Sequence, residues 1–283
     1  MSDAEILSTF AVATVALGAG VSNGWRHQAL QNHHKYCRHH GYACALLNNT
    51  AVLNGSSLWQ ESLPWQRARH PSWFKLPLVD WLLFSRGFQA VLTIDLDALV
   101  MNTNLSIASL VAQAEEFEQR QASVVLSSDT TLVQMAQVIY RRTDFTRALL
   151  RELWQFPDVS NVEQGAMACW LCGCHPNAPK AELRGCYDAC DRGWRNHTVA
   201  RLQKRAAWRS EPWAATVLQR AGGHLAWLPQ RSLNSYAPIG SCADQYSSIG
   251  GADVTAYQRG DFVLHVPGVS ERCRASTVAR ALR

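Results

Sequence analysis

Apolar strand-like runs alternating with helix-spaced segments predict an α/β fold with a largely parallel sheet for this 283-residue chain. Three observations carry that expectation. The chain opens strand, helix, strand (residues 6–17, 25–40 and 41–47), the order that a parallel pair with a crossover helix requires. An apolar run, Ala90-Val91-Leu92-Thr93-Ile94-Asp95-Leu96-Asp97-Ala98-Leu99, reads as a buried strand ending on two carboxylates. With 47% hydrophobic and 17% charged residues, the composition is that of a globular protein and excludes a disordered chain.

The remaining elements follow in order. Residues 48–63 read as a polar loop, and 73–86 as a helix starting near Leu76 so that Pro77 falls in its first turn, with Gly87 as its stop. After the acidic run, 107–120 is an amphipathic helix, 122–127 a strand, 144–155 a helix carrying Leu149, Leu150, Leu153 and Trp154, and 162–171 a further helix. From Cys172 to about Arg205 periodicity fades, which suggests a disulfide-pinned insertion. A short helix is expected at 213–219, a strand at 225–228 and loop-rich chain at 232–251. A strand bearing His265 comes next, ahead of a basic tail.

Asp95 and Asp97 are spaced i, i+2, so on a strand they would share a face and aim past its end, where α/β sheets usually hold ligands. Their neighbours are apolar, and unpaired carboxylates there are costly, so a basic side chain or a divalent cation must neutralise them. Oxygen ligands suit Mg²⁺ or Mn²⁺, and an imidazole from His265 would favour Mn²⁺. The formal charge of +5 could attract phosphorylated ligands, while no Lys/Arg stripe with interleaved aromatics argues for nucleic acid. Eleven Trp offer flat faces that suit sugar rings, although core packing accounts for most of them.

Nine cysteines, five of them in Cys169-x-x-Cys172-x-Cys174 and Cys186-x-x-x-Cys190, permit disulfides or a zinc site. Sequons at Asn48, Asn54, Asn104 and Asn196 favour disulfides in a glycosylated luminal protein, with one thiol left over. The apolar stretch of residues 10–20 is too short to span a bilayer, and Asp3 and Glu5 occupy the place of a basic signal-peptide n-region. A luminal location would therefore rest on an anchor outside this chain.

Five blocks in order then resemble glycosyltransferase family 34, the galactosyl- and xylosyltransferases related to fungal α-mannan and plant xyloglucan enzymes. They are Asn32-x-x-Lys35-Tyr36-Cys37-x-x-His40-Gly41-Tyr42, Trp73-x-Lys75-Leu76-Pro77, Ile94-Asp95-Leu96-Asp97-Ala98-Leu99, Asn234-Ser235-Tyr236, and Gly260-Asp261-Phe262-Val263-Leu264-His265-x-x-Gly268. The resemblance implies a GT-A nucleotide-sugar transferase fold with a central mixed sheet. It implies one catalytic domain over 1–283 with a Cys-rich insertion at about 169–205. Asp95, Asp97 and His265 would bind Mn²⁺, with Mg²⁺ as the alternative, to hold the diphosphate of a UDP-sugar. Lys75, Asp261 and Gly268 would contact that diphosphate or its metal. The implied reaction is retaining transfer of galactose or xylose to a glycan hydroxyl in the Golgi or secretory lumen.

Two stretches bear on the catalytic residues. The family's D-x-N-x-x-N-x-G block aligns with Asp129 to Ala136, where Asp129 is kept and Gln134 and Ala136 replace asparagine and glycine. A longer amide and an added methyl would reshape a tight pocket, which leaves open a glycan-binding or scaffold protein with impaired catalysis. The family's E/D-Q-x-A helix is matched by Glu163-Gln164-Gly165-Ala166, with Glu211-Pro212-Trp213-Ala214 the other candidate. Asp129, Gln134, Glu163 and Gln164 are thus the expected catalytic set.

Overall fold

The computed structural model describes residues 9–17, 24–127, 133–159, 162–196, 216, 219–236, 256–267 and 270–282, and sets the strands into two sheets. The larger has six strands: β1 (Phe10–Val15), β2 (Ala43–Leu47), β3 (Ala90–Thr93), β5 (Val124–Ser127), β6 (Gln134–Arg141) and β7 (Leu225–Leu228), in the order β2-β1-β3-β6-β5-β7. The smaller joins β4 (Ala98–Val100), β9 (Val263–His265) and β8 (Ser235–Tyr236). β1 lies parallel to β2 and β3, as expected, but β6 runs antiparallel to both β3 and β5, so the large sheet is mixed.

Helices cover both faces of the large sheet. On one face α1 (Gly24–His40) and α3 (Ile107–Glu118) pack Tyr36, Cys37, Ile107, Leu110 and Ala114 against Val12, Leu92, Val125 and Ile139. On the other, α2 (Lys75–Asp80), α4 (Asp144–Gln155), α5 (Val162–Leu171) and α6 (Lys180–Asn196) contribute Trp73, Leu76, Leu149, Trp154, Met167 and Leu183 from themselves and their approaches. Each such large apolar side chain contributes about 1.5–3 kcal/mol on full burial. The apolar side chains of α4 recur with helical spacing, and Thr143 caps it by accepting from the Thr146 N–H at 3.1 Å.

Several expectations are corrected. The run of residues 90–99 is not one strand: β3 ends at Thr93, Asp95 and Asp97 occupy a turn closed by Ala98 N–H to Asp95 O (3.0 Å), and β4 belongs to the second sheet. A strand continuing between two apolar layers would bury both carboxylates unpaired, and the turn avoids that cost. β6 went unanticipated because its residues are buried on both sides and therefore lack the alternation of a half-exposed strand. The loop of residues 48–63 contains a 3-10 segment (Thr50–Gly55) and a helical turn (Ser57–Gln60), anchored where the Asp80 carboxylate accepts from Ser56 Oγ, Ser57 Oγ and Leu58 N. The helix expected near Leu76 begins at Lys75, after a 3-10 turn at Pro71–Phe74, and continues into a π turn at Trp81–Ser85.

Helix α6 crosses the supposedly irregular Cys-rich stretch. Its disulfide Cys174–Cys186 ties it to the end of α5, and Cys172 is also disulfide-bonded, which removes these thiolates from any zinc site. Cys37–Cys44 links α1 to β2, and the buried Cys169 is the free thiol among the described residues. The basic tail is a helix, α7 (Glu271–Ala281), capped by Ser270. Among the described residues no helix is long and apolar enough to cross a membrane. Asp129, Gly268, the Glu211 alternative and most of the helix expected at 213–219 lie outside the described residues.

One face of α1 holds the chain just past the acidic turn. Asn32 accepts from Val100 N (2.7 Å) and donates to Val100 O (2.9 Å), Tyr36 Oη donates to Leu105 O (2.9 Å), and His40 Nε2 lies 2.8 Å from Thr103 O. His33, 1% exposed, donates from Nε2 to Ala98 O (2.7 Å), which leaves Nδ1 to accept from Thr14 Oγ1 (3.1 Å). Burial lowers its pKa from 6.5 to about 4. Between those values the unfolded chain binds the proton that the fold excludes, so stability is full above pH 6.5 and falls as pH drops toward 4. The size is about 3 kcal/mol, from the difference between 6.5 and about 4. Urea denaturation at pH 7 and pH 4.5 checks this: a His33→Gln variant should lose that part of the acid sensitivity, and an unchanged pH profile would remove the assignment.

Candidate metal and donor site

The site grows from the turn at Asp95 and Asp97. Antiparallel pairing of β4 with β9 sets Ala98 opposite His265, and Val266 N–H donates to Asp97 O (2.9 Å), so the two segments meet although the paired positions Ala98 and His265 lie 167 positions apart in the chain. Asp95, Asp97 and His265 each offer a ligand atom within 4.8 Å of the others. His265 Nε2 lies 3.3 Å from Asp97 Oδ1. Its Nδ1 is 2.8 Å from Asn234 Oδ1, an amide oxygen that accepts and so places the proton on Nδ1, leaving the Nε2 lone pair toward the carboxylates. Asn234 is itself delivered by β8, which lies parallel to β9 with Tyr236 opposite His265 and its ring stacked against the imidazole. One imidazole nitrogen and two carboxylates, with the histidine oriented by a side-chain amide, fit a divalent cation of the Mn²⁺ or Mg²⁺ kind.

A buried cation completes one side. Lys75, 3% exposed at the start of α2, places Nζ 2.8 Å from Asp95 Oδ1, 2.5 Å from Glu163 Oε1 and 3.1 Å from Met135 O. The Met135 carbonyl is accessible because the β5–β6 register shifts between Val125↔Ile139 and Ser127↔Gln134. Gln134 supports the irregularity by accepting from Ala136 N at 2.8 Å. Burial disfavours the Lys75 ammonium, but Asp95 and Glu163 outweigh it and hold the group above the usual lysine range. Burial pushes the Asp95 carboxyl up, with Lys75 opposing and Asp97 and Glu163 adding to the rise. Burial acts in the same sense on Asp97, yet His265 and Arg274 overcome it and keep that carboxyl below the ordinary carboxylate range.

The expected residues therefore divide. Asp95, Asp97, His265, Lys75 and Glu163 form one connected cluster. Glu163, 4% exposed, keeps its Oε2 without a hydrogen-bond partner among the described residues. Gln164, the next residue on α5, is half-buried. Asp261 lies outside the three-residue group: Arg231 grips it with two bonds (2.8 and 3.1 Å), and Ser235 Oγ (2.8 Å) and Gln258 N (2.7 Å) also donate to it. The adjacent residues Asn234 and Ser235 thus orient His265 and Asp261 respectively. Sequence reasoning missed Arg274, whose Nη2 lies 3.3 Å from Asp97 Oδ2, because nothing in a short basic tail marks one arginine among several.

A mixed sheet with helices on both faces and an acidic turn past the end of β3 is the GT-A architecture. A solved glycosyltransferase involved in glycosylation of the major capsid of PBCV-1 superposes at TM-score 0.51 and 10% identity, covering 96% of this chain and 98% of that one. The solved galactosyltransferase LgtC, crystallised with donor and acceptor sugar analogues, gives TM-score 0.41 and 10% identity over 96% and 94% of the two chains. Over residues 12–142 the chain matches the galactosyl transferase GMA12/MNN10 family, the same glycosyltransferase family 34 that the ordered blocks resemble. No curated protein sequence matches the chain.

Proposed function

We propose that the chain is a metal-dependent, retaining glycosyltransferase that moves galactose or xylose from a UDP-sugar to a hydroxyl of a glycan acceptor. The observation that carries this reading is the convergence of Asp95, Asp97 and His265 beside the buried Lys75–Glu163 pair. Asp95, Asp97 and His265 would hold Mn²⁺, with Mg²⁺ the alternative. A bound divalent cation supplies Lewis-acid stabilisation of the charge that grows on the departing diphosphate. Lys75 balances Asp95 and Glu163, so that the cluster is not left with three uncompensated carboxylates when a ligand displaces water.

Glu163 Oε2, an unpaired buried acceptor, suits a substrate hydroxyl, because an acceptor left alone in a buried site is costly. We assign Gln164, half-buried on the same helix, to the pocket around Glu163, and Asp129 completes the proposed catalytic set. Gln134 shapes that pocket through its bond to the Ala136 amide. Asp261 supports the donor side by bracing the segment before β9, and Gly268 continues that segment. Residues 1–283 act as one catalytic domain, with the disulfide-bonded Cys-rich stretch as its insertion. Disulfides and sequons support a Golgi or secretory-pathway lumenal setting.

A thermal-shift screen of nucleotide sugars with and without Mn²⁺ tests the reading, since a ligand that binds only the folded state raises its stability by mass action. The expected result is stabilisation by UDP-sugars in the presence of Mn²⁺ and little without it. Absence of any metal-dependent shift across the panel would overturn the reading.

A further inference from the structure

We propose that Arg274, on the C-terminal helix α7, binds the diphosphate of the nucleotide-sugar donor alongside the metal. This rests on the reading of Asp95, Asp97 and His265 as the metal site. The two Asp97 oxygens are divided between partners: Oδ1 faces His265 Nε2, and Oδ2 faces Arg274 Nη2, each at 3.3 Å. A cation taken up on the His265 side therefore leaves Arg274 in place at its edge. The guanidinium is anchored for such a role. Its Nε donates to Val266 O at 3.2 Å, the residue that follows His265, and its plane lies over Trp25 with 5.4 Å to the ring centroid.

The helix that carries Arg274 is itself held. Glu271, on the same helix, accepts from Trp25 Nε1 at 2.5 Å and pairs with Arg26, and Cys273 is disulfide-bonded. Of five guanidinium N–H groups, Nε–H donates to Val266 O and Nη2 faces Asp97 as an ion pair, so among the described residues donors remain on a side chain that is 21% exposed. A fork with spare donors at the rim of a metal site suits bidentate contact with phosphate oxygens. Charge agrees with this. Three carboxylates (Asp95, Asp97, Glu163) face two fixed cations (Lys75, Arg274), so a divalent ion leaves the cluster with one net positive charge, which attracts an anionic diphosphate. Without Arg274 the loaded cluster is neutral and attracts the anion less.

The test uses Mn²⁺ alone and then uridine, UMP and UDP in saturating Mn²⁺, titrated calorimetrically into the wild-type protein, Arg274→Gln and Arg274→Lys. Arg274→Gln is expected to keep the Mn²⁺ affinity to within about threefold and the uridine affinity unchanged, but to lose about tenfold or more for UDP. Arg274→Lys should fall between the two, since it keeps the charge but not the fork. Equal losses for Mn²⁺ and UDP would mean that Arg274 only orients Asp97, and unchanged UDP affinity would leave it no role in the donor site. Either result overturns the proposal. Should the glutamine variant fail to fold, phenylglyoxal labelling of the wild type read by mass spectrometry decides. UDP with Mn²⁺ must protect Arg274 where uridine with Mn²⁺ does not, and equal labelling overturns the proposal. Wild-type protein that binds neither Mn²⁺ nor UDP would show instead that the metal-site reading is wrong, and the proposal would fall with it.

Discussion

Replacing Lys75 by methionine is expected to lower the free energy of unfolding by about 3–5 kcal/mol, because it strands two carboxylates against a buried apolar side chain. Glu163 suffers most: at 4% exposure its Oε1 has Lys75 as its ion-pair partner and its Oε2 has no hydrogen-bond partner. Asp95 is better placed to recover, since about a third of its side chain (31%) reaches solvent. The double variant Lys75→Met/Glu163→Gln should therefore regain a large part of the loss, as removing both members of a buried pair costs far less than removing one. Urea denaturation of the two variants measures this. A single variant within about 1 kcal/mol of wild type would mean that the ion pair carries little of the local stability. Because Met135 O also accepts from Nζ, the substitution should loosen the irregular start of β6 as well.

Asp95→Asn and Asp97→Asn are expected to abolish metal-dependent stabilisation while leaving the metal-free fold close to wild type. Each asparagine preserves shape and removes one of the negative charges that a divalent cation requires. For Asp95 the change also relieves burial of a charge that lies near Asp97 and Glu163, so its metal-free form should be no less stable than the parent. For Asp97 the loss is larger, because the carboxylate is engaged by both His265 and Arg274. At a free metal concentration about 100 times Kd, a bound ion adds roughly 2.7 kcal/mol to stability, and that increment should vanish in both variants. Differential scanning calorimetry across a Mn²⁺ titration reads it directly. Wild-type-sized metal shifts in both variants would place the cation elsewhere. The same substitutions should reduce sugar transfer by about a thousandfold, the scale of removing a main electrostatic contact to the leaving group.

The helices that carry function were legible at close range, and the physical reasons differ. α4 and α5 appear at the expected bounds because apolar residues at helical spacing state which face is buried. α1 was equally plain, and its Asn32, His33, Tyr36 and His40 hold residues 98–105 in place. β6 was invisible, because a strand buried on both faces has no alternation, and no element was expected between residues 127 and 144. α6 was obscured by its cysteines, which suggested irregular chain where the disulfide instead staples a helix to the end of α5.

Within the candidate site, the residue types were sequence-level information, since carboxylates and an imidazole near an apolar strand end are groups that suit a divalent cation. Their arrangement was not. Asp95 and Asp97 converge through a turn and not along one strand face, and His265 reaches them through antiparallel pairing across 167 positions, counted from Ala98 to its partner His265. Lys75 and Glu163 were each anticipated separately, but their shared burial against Asp95 depends on how α2 and α5 pack on β6. Arg274 depended entirely on the docking of α7 against α1.

By itself the sequence determined the fold class, the order of its main elements and the chemical types at the site, because periodicity and residue chemistry are local properties. Only the tertiary structure decided which charges neutralise one another, which oxygen of Glu163 is left without a partner among the described residues and which arginine faces Asp97. Those are matters of distance and burial, set by contacts between segments far apart in the chain.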